Sequence, residues 1–141
     1  VVADRPEDDW QALDTFGHNL GMSFQLVDDV LDYSARQATL GKAVGDDFRE
    51  GKITLPVVLA FSAADENERA FWRRTLEDLE QKTGDFRRAV TMLEKSGALA
   101  ASMERARDYG ARARQALEPF PDCEIKDALA EAVEFAIHRS Y

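Results

Sequence analysis

Apolar side chains recur at steps of three and four residues near the start of the sequence, a spacing typical of one long amphipathic helix. The recurring residues are Trp10, Leu13, Leu20, Phe24, Val27 and Leu31. Pro6, followed by acidic residues, suits a helix start because proline fits the first turn and negative charge favours a helix N-terminus. The pattern predicts a helix over residues 6–33, roughly 40 Å long. Gly17 and Gly21, on or close to its apolar side, predict close packing against a neighbouring helix.

A cluster of carboxylates lies at the C-terminal end of this predicted helix. At about 100° per residue, its members fall within roughly 100° of arc. They are Gln25, Asp28, Asp29 and Asp32. Like charges three and four residues apart repel, and the helix dipole disfavours negative charge at a C-terminus. A divalent cation would offset this cost, and Mg²⁺ prefers oxygen ligands. The alternative is a solvated acidic face, and spacing alone does not decide between the two.

A charged, glycine-rich segment follows over residues 34–52. A connection this long without a strong period is often functional. Its lysines, Lys42 and Lys52, would suit an anion, while a metal would sit on the carboxylates before it. A solvated surface loop is the alternative.

The remaining sequence predicts further helices and no paired strands. Thr54 and Pro56 suit a helix start within the apolar run 53–61. Asp65 and Glu68 resemble a capping box that begins a helix. We expect this and three later helices over the ranges 65–82, 85–96, 98–117 and 122–137. The sequence therefore predicts an all-α fold of about six helices in one domain over residues 1–141.

Composition limits the possible partners and compartment. The chain has 141 residues, with 27 acidic and 18 basic side chains and a formal net charge of −9. This balance argues against non-specific nucleic-acid binding. No apolar run approaches the roughly 18–20 residues of a membrane span. Cys123 is the single cysteine, so no intrachain disulfide is possible, which favours a reducing cytoplasm.

The motifs around the acidic cluster form an ordered set. Its parts are Phe24-Gln25-x-x-Asp28-Asp29-x-x-Asp32, Gly41-Lys42, Gly45-Asp46-Asp47 and Glu50-Gly51-Lys52-Ile53-Thr54-Leu55-Pro56. This set closely resembles the second aspartate-rich region of trans-isoprenyl diphosphate synthases, especially the long-chain octaprenyl and decaprenyl type. The strong match covers about residues 16–61, and a weaker helical pattern continues to the C-terminus.

The resemblance implies the all-α isoprenoid-synthase fold and a prenyltransferase activity. In such enzymes two facing aspartate-rich helices hold three Mg²⁺ ions around the diphosphate of an allylic substrate. The diphosphate leaves, isopentenyl diphosphate adds to the allylic cation through its double bond, and proton loss gives a longer trans product. The resemblance also implies a homodimer for the full-length enzyme.

On the metal side, the resemblance assigns roles to four carboxylates. Asp28 is the expected direct Mg²⁺ ligand, and Asp29 and Asp32 are expected to ligate metal or orient metal-bound waters. Asp47 is expected to orient the outer water shell of the metal. Leaving-group charge would thus be stabilised by cations already in place where it develops.

On the substrate side, the resemblance assigns Lys42 and Lys52 to the allylic diphosphate. Gln25 is expected to contact substrate, and Phe24 to line the pocket beside the reacting tail. Asp28, Lys42 and Lys52 are therefore the expected catalytic residues.

The sequence also departs from the family pattern. The first aspartate-rich region, the preceding Lys-Thr pair and the arginine-rich site for isopentenyl diphosphate are absent from these 141 residues. We therefore expect the chain to be the C-terminal half of a synthase, and the isolated fragment to be inactive. The alternatives are a terpene cyclase or a non-catalytic partner subunit of the same fold, or a helical interaction module whose acidic face is only solvated.

Overall fold

The computed structural model describes residues 5–34 and 44–138, and every regular element within these ranges is a helix. The described α-helices are α1 Glu7–Leu31, α2 Asp46–Arg49, α3 Leu55–Ala63, α4 Glu66–Trp72, α5 Asp85–Lys95, α6 Ala98–Ala116 and α7 Glu124–His138. A π-helix, Arg73–Glu77, follows α4 directly. The prediction of an all-α fold is confirmed. None of the helices in these two ranges is long and apolar enough to cross a lipid bilayer.

Helix α1 forms where the periodicity predicts it, but its buried side differs from the predicted stripe. The buried apolar residues are Phe16, Leu26 and Val27. Three residues of the predicted stripe are instead exposed: Trp10, Leu13 and Phe24. A Cβ atom at Gly17 or Gly21 would meet nothing within 4 Å. The predicted close packing at these two glycines is therefore wrong for the described part of the chain.

The chain divides into two compact units, and the first comprises Val1–Val27 and Glu104–Tyr141. Its buried core residues are Phe16, Ala113, Leu117, Val133 and Ile137. Helices α6 and α7 approach closely at Gly110, where a Cβ atom would lie 3.2 Å from Val133 Cγ1 and would clash with the Ile137 side chain. The buried Ser23 hydroxyl of α1 donates a hydrogen bond to the Ala106 carbonyl oxygen of α6 at 2.9 Å.

The second unit comprises Asp28–Met103. Its buried core residues are Tyr33, Phe48, Val57, Ala60, Phe71, Trp72, Leu76, Ala89, Leu93 and Ala98. Helix α3 contributes to this core and begins after Thr54 with Pro56 in its first turn, as predicted. The Thr54 side chain makes no capping hydrogen bond.

Helix α4 begins with the predicted capping box. The Asp65 carboxylate accepts from the Glu68 N–H at 2.9 Å, and the Asp65 N–H donates to the Glu68 carboxylate at 3.3 Å. The predicted end near residue 82 is wrong, because helical structure stops at Glu77 and Leu79 takes a left-handed φ of 55°. The segment after the π-helix is therefore free to contact the loop before α3.

Candidate functional site

The end of α1 carries the three predicted metal ligands. Asp29 is only 7% exposed, whereas Asp28 and Asp32 are half-buried. Helix α1 has no basic residue in its last turn to offset their charge. Over residues 5–34 and 44–138, no group of three or more His, Cys, Asp or Glu side chains is arranged to hold a metal ion. The described residues thus do not bring the three aspartates together as a complete ligand set.

Asp32 has a different role in this structure, which sequence reasoning missed. Its two carboxylate oxygens accept from the backbone N–H groups of Asp46 at 3.2 Å and Asp47 at 3.0 Å. These N–H groups belong to the first turn of α2, where Gly45 is the N-cap and supplies no side-chain bond. The Asp32 carbonyl also accepts from the Gly45 N–H at 2.9 Å. Asp32 therefore does the work of a capping side chain from a distant position in the sequence.

Burial dominates the electrostatics around Asp32. It raises the pKa of the Asp32 carboxyl above the ordinary 3.8, and the nearby Asp47 charge adds to this. The backbone hydrogen bonds from α2 act in the opposite direction but do not cancel the effect. Burial likewise raises the pKa of the Tyr33 hydroxyl, with the Asp32 charge as the next cause. Because burial disfavours these negative charges, a nearby cation would be stabilising.

Lys52 lies in the loop between α2 and α3. Its ammonium forms ion pairs with the Asp47 and Glu50 carboxylates, each at 2.9 Å. Hydrogen bonds to Glu50 and then Asp47 raise the pKa of Lys52, so the amine is charged at neutral pH. The side chain remains 56% exposed. The amine is thus held in one place while an anion in solution can still reach it.

The aromatic ring of Phe86 packs against residues before α2 and within it. The Phe86 ring stacks with Tyr33 at 6.1 Å between centroids and lies 5.8 Å from the Phe48 ring. A Cβ atom at Gly45 would lie 2.6 Å from the Phe86 ring, so only glycine fits this approach. The φ of 81° at Gly45 is also one that side chains rarely adopt.

Gly51 sets the turn immediately before Lys52. It has a φ of 70°, and a Cβ atom there would lie 2.7 Å from the Leu76 carbonyl oxygen. The backbone of the turn therefore rests directly on the π-helix.

The other residues predicted to bind substrate lie on α1 or outside the described ranges. Phe24 and Gln25 are exposed on α1, close in sequence to the aspartates. Lys42 lies outside the described residues, as does Gly41. The structure thus brings Asp32, Asp47 and Lys52 into one hydrogen-bonded group.

An all-helical chain with an acidic helix end joined to a lysine-bearing turn fits the isoprenoid-synthase class of proteins. A family model described as polyprenyl synthetase matches residues 1–93. The chain belongs to this family. It is 37% identical to the octaprenyl diphosphate synthase of Haemophilus influenzae over 145 residues, which covers 100% of this chain and 43% of that protein.

Solved structures give the same result. A decaprenyl diphosphate synthase from Rhodobacter capsulatus is 41% identical with a TM-score of 0.84, over 95% of this chain and 40% of that one. A polyprenyl synthase from Caulobacter crescentus, complexed with calcium and isoprenyl diphosphate, is 46% identical with a TM-score of 0.84, over 93% and 40%. The predicted resemblance to long-chain synthases is confirmed. The chain spans less than half the length of these relatives.

Proposed function

We propose that this chain supplies the part of a trans-polyprenyl diphosphate synthase that binds the diphosphate of an allylic substrate. In the complete enzyme, the allylic C–O bond breaks and the diphosphate leaves. Isopentenyl diphosphate then forms the new C–C bond and loses a proton. The observation that carries the proposal is the hydrogen-bonded group of Asp32, Asp47 and Lys52, which joins an acidic helix end to an exposed ammonium.

The carboxylates at the end of α1 fit Mg²⁺ by their donor chemistry. Mg²⁺ is usually held by one or two carboxylates together with waters and substrate phosphates, so a complete protein cage is not needed. We assign Asp28 as the direct ligand, and Asp29 and Asp32 to ligate metal or orient its waters, with Asp47 acting on the outer water shell. When bound, Mg²⁺ would neutralise charge on the leaving diphosphate. Three ions are expected in the complete site.

The lysines would bind the diphosphate oxygens. The Lys52 ammonium is charged and exposed, and so is its partner Glu50, which a phosphate could replace. We assign Lys42 the same role, Gln25 a substrate contact and Phe24 a place beside the prenyl tail. The complex of the Caulobacter relative with calcium and isoprenyl diphosphate supports a cation and a diphosphate as joint ligands.

A chimaera tests the proposal. This chain would be fused to the portion of the Haemophilus octaprenyl diphosphate synthase to which it does not align, and incorporation of labelled isopentenyl diphosphate would be measured. We expect Asp28→Ala to reduce turnover at least about a hundredfold with an unchanged helical circular-dichroism signal. Asp14→Ala, an exposed aspartate earlier on α1, is the matched control and should leave turnover unchanged. Equal turnover of the Asp28→Ala chimaera and its parent would refute the metal assignment.

The isolated 141-residue chain is expected to bind magnesium pyrophosphate but not to catalyse condensation, because it spans only 43% of the Haemophilus enzyme. Turnover of labelled isopentenyl diphosphate by the isolated chain would contradict this part of the proposal.

A further inference from the structure

Gln81 makes two hydrogen bonds that tie the lysine-bearing loop to the π-helix. Its side-chain amide donates to the Phe48 carbonyl oxygen at 2.7 Å and to the Thr75 carbonyl oxygen at 2.9 Å. Phe48 belongs to α2, and Thr75 is a fully buried residue of the π-helix. A glutamine amide has two N–H donors, so one side chain can satisfy both carbonyls without adding charge.

The carbonyl bound by Gln81 also closes the turn that leads to Lys52. The Gly51 N–H donates to the same Phe48 carbonyl oxygen at 3.1 Å. The Lys52 backbone N–H donates to the Asp47 carbonyl oxygen at 2.8 Å. The path from Gln81 to the lysine therefore runs through one shared acceptor and one glycine turn. A shift of the Phe48 carbonyl would move the backbone from which the Lys52 side chain projects.

Helix α2 is anchored in the core by Phe48 but is too short to fix its position by its own backbone hydrogen bonds. It has four residues, and a single helical turn is unstable in isolation. Asp32 binds its N-terminal end, and Gln81 binds the carbonyl of Phe48 near its C-terminal end. The two ends are thus held by side chains from separate parts of the second unit.

We propose that Gln81 is a positioning residue for Lys52, fixing the turn so that the ammonium is presented to the diphosphate. The inference rests on the proposed function, in which Lys52 binds that diphosphate. Gln81 lies outside the ordered motif set, and its two side-chain hydrogen bonds go to backbone carbonyls.

A double-mutant cycle tests this, with magnesium pyrophosphate titrated calorimetrically into the 141-residue chain. The four proteins are the unsubstituted chain, Gln81→Met, Lys52→Met and the double variant. Methionine is close to glutamine in length and cannot donate. We expect Gln81→Met to weaken binding about tenfold, since small misplacements of a binding group are costly. In the Lys52→Met background it should have no further effect, because Gln81 acts through Lys52. Gln115→Met, the same change at an exposed position of α6, should leave binding unchanged.

Each outcome has one interpretation. No binding by the unsubstituted chain, or full binding by Lys52→Met, would refute the proposed function. Weakened binding by Lys52→Met with normal binding by Gln81→Met would refute the positioning role alone. Losses of binding free energy that simply add in the double variant would also refute the positioning role, because a merely structural contribution does not depend on Lys52. Should Gln81→Met fail to fold, Gln81→Asn replaces it; its shorter amide does not span both carbonyls, so it is judged by the same criteria.

Discussion

The carboxylate of Asp32 accepts a hydrogen bond from the backbone of Asp47 at 3.0 Å, and Asp47 in turn pairs with Lys52 at 2.9 Å. A residue expected to serve a metal thus also holds the helix that places the lysine. Because the acidic end of α1 and the turn that carries Lys52 share the Asp32 side chain, a substitution of Asp32 should affect both.

Replacing Asp32 by alanine should loosen α2. Loss of a capping side chain typically costs about 1 kcal/mol of stability. We expect faster amide hydrogen exchange at Arg49 and Glu50, whose N–H groups close the turns of α2. Asp65→Ala, which removes the cap of α4, is the control: it should cost about as much stability without changing exchange at these two amides. Unchanged exchange in Asp32→Ala would contradict the capping role.

Replacing Gly51 by alanine should be more damaging than the same change at Gly97. The two glycines share nearly the same φ, 70° and 73°, so the backbone strain is matched. A Cβ atom at Gly97 meets nothing within 4 Å, whereas at Gly51 it would lie 2.7 Å from the Leu76 carbonyl oxygen. We expect a loss of about 1 kcal/mol at Gly97 and about 3 kcal/mol at Gly51, measured by urea unfolding. Equal losses would show that the loop does not rest on the π-helix as described.

The ion pair between Arg74 and Asp85 should make stability depend on acid pH. The guanidinium binds the carboxylate at 2.9 and 3.1 Å and, as the largest cause, lowers the pKa of Asp85 below the ordinary 3.8. The unfolded chain then takes up this proton at higher pH than the folded chain. The carboxylate therefore stabilises the fold above 3.8, and this contribution is lost as the pH falls through the lowered folded pKa.

We accordingly expect Asp85→Asn to have a lower free energy of unfolding at pH 7 and a shallower loss of stability on acidification. Denaturant unfolding over a series of acid pH values measures both. Asp122→Asn, which removes a carboxylate that is 97% exposed, is the control and should follow the parent curve. Parallel curves for Asp85→Asn and the parent would contradict the assignment.

The hydrogen bond between Ser23 and Ala106 should contribute measurably to the first unit. Ser23 is fully buried and bonds across to α6, whereas the exposed Ser62 bonds back to the carbonyl of Val58 in its own helix. We expect Ser23→Ala to cost about 1 kcal/mol in urea unfolding. Ser62→Ala should be neutral or slightly stabilising, because alanine is the better helix former. A neutral Ser23→Ala would indicate that the bond is not formed in solution.

Features that depend on neighbouring residues could be predicted from the sequence. The capping box of Asp65 and Glu68 spans three positions, so its chemistry is complete within the local sequence. The start of α3, with Pro56 in its first turn, is predictable for the same reason. The ordered motif set identified the family because it combines many such local features.

Features that depend on distant partners could not be predicted. Asp32 caps a helix that begins fourteen residues later, and its own surroundings give no sign of this. The lack of a capping side chain at Gly45 was the available signal, since it implies a cap from elsewhere. Likewise, periodicity identified the apolar residues of α1 but not what covers them, so Trp10 and Leu13 proved exposed. The roles of Asp28 and Asp29 stay predictions.

The shortness of α2 has a consequence for how the lysine turn behaves. A single helical turn has few backbone hydrogen bonds, so the side chains that contact it determine how often it opens. Because Phe48 of α2 is a buried core residue, opening there would also expose part of the core of the second unit. A ligand that binds only the closed turn would therefore stabilise the core of the second unit as well as the turn that carries Lys52.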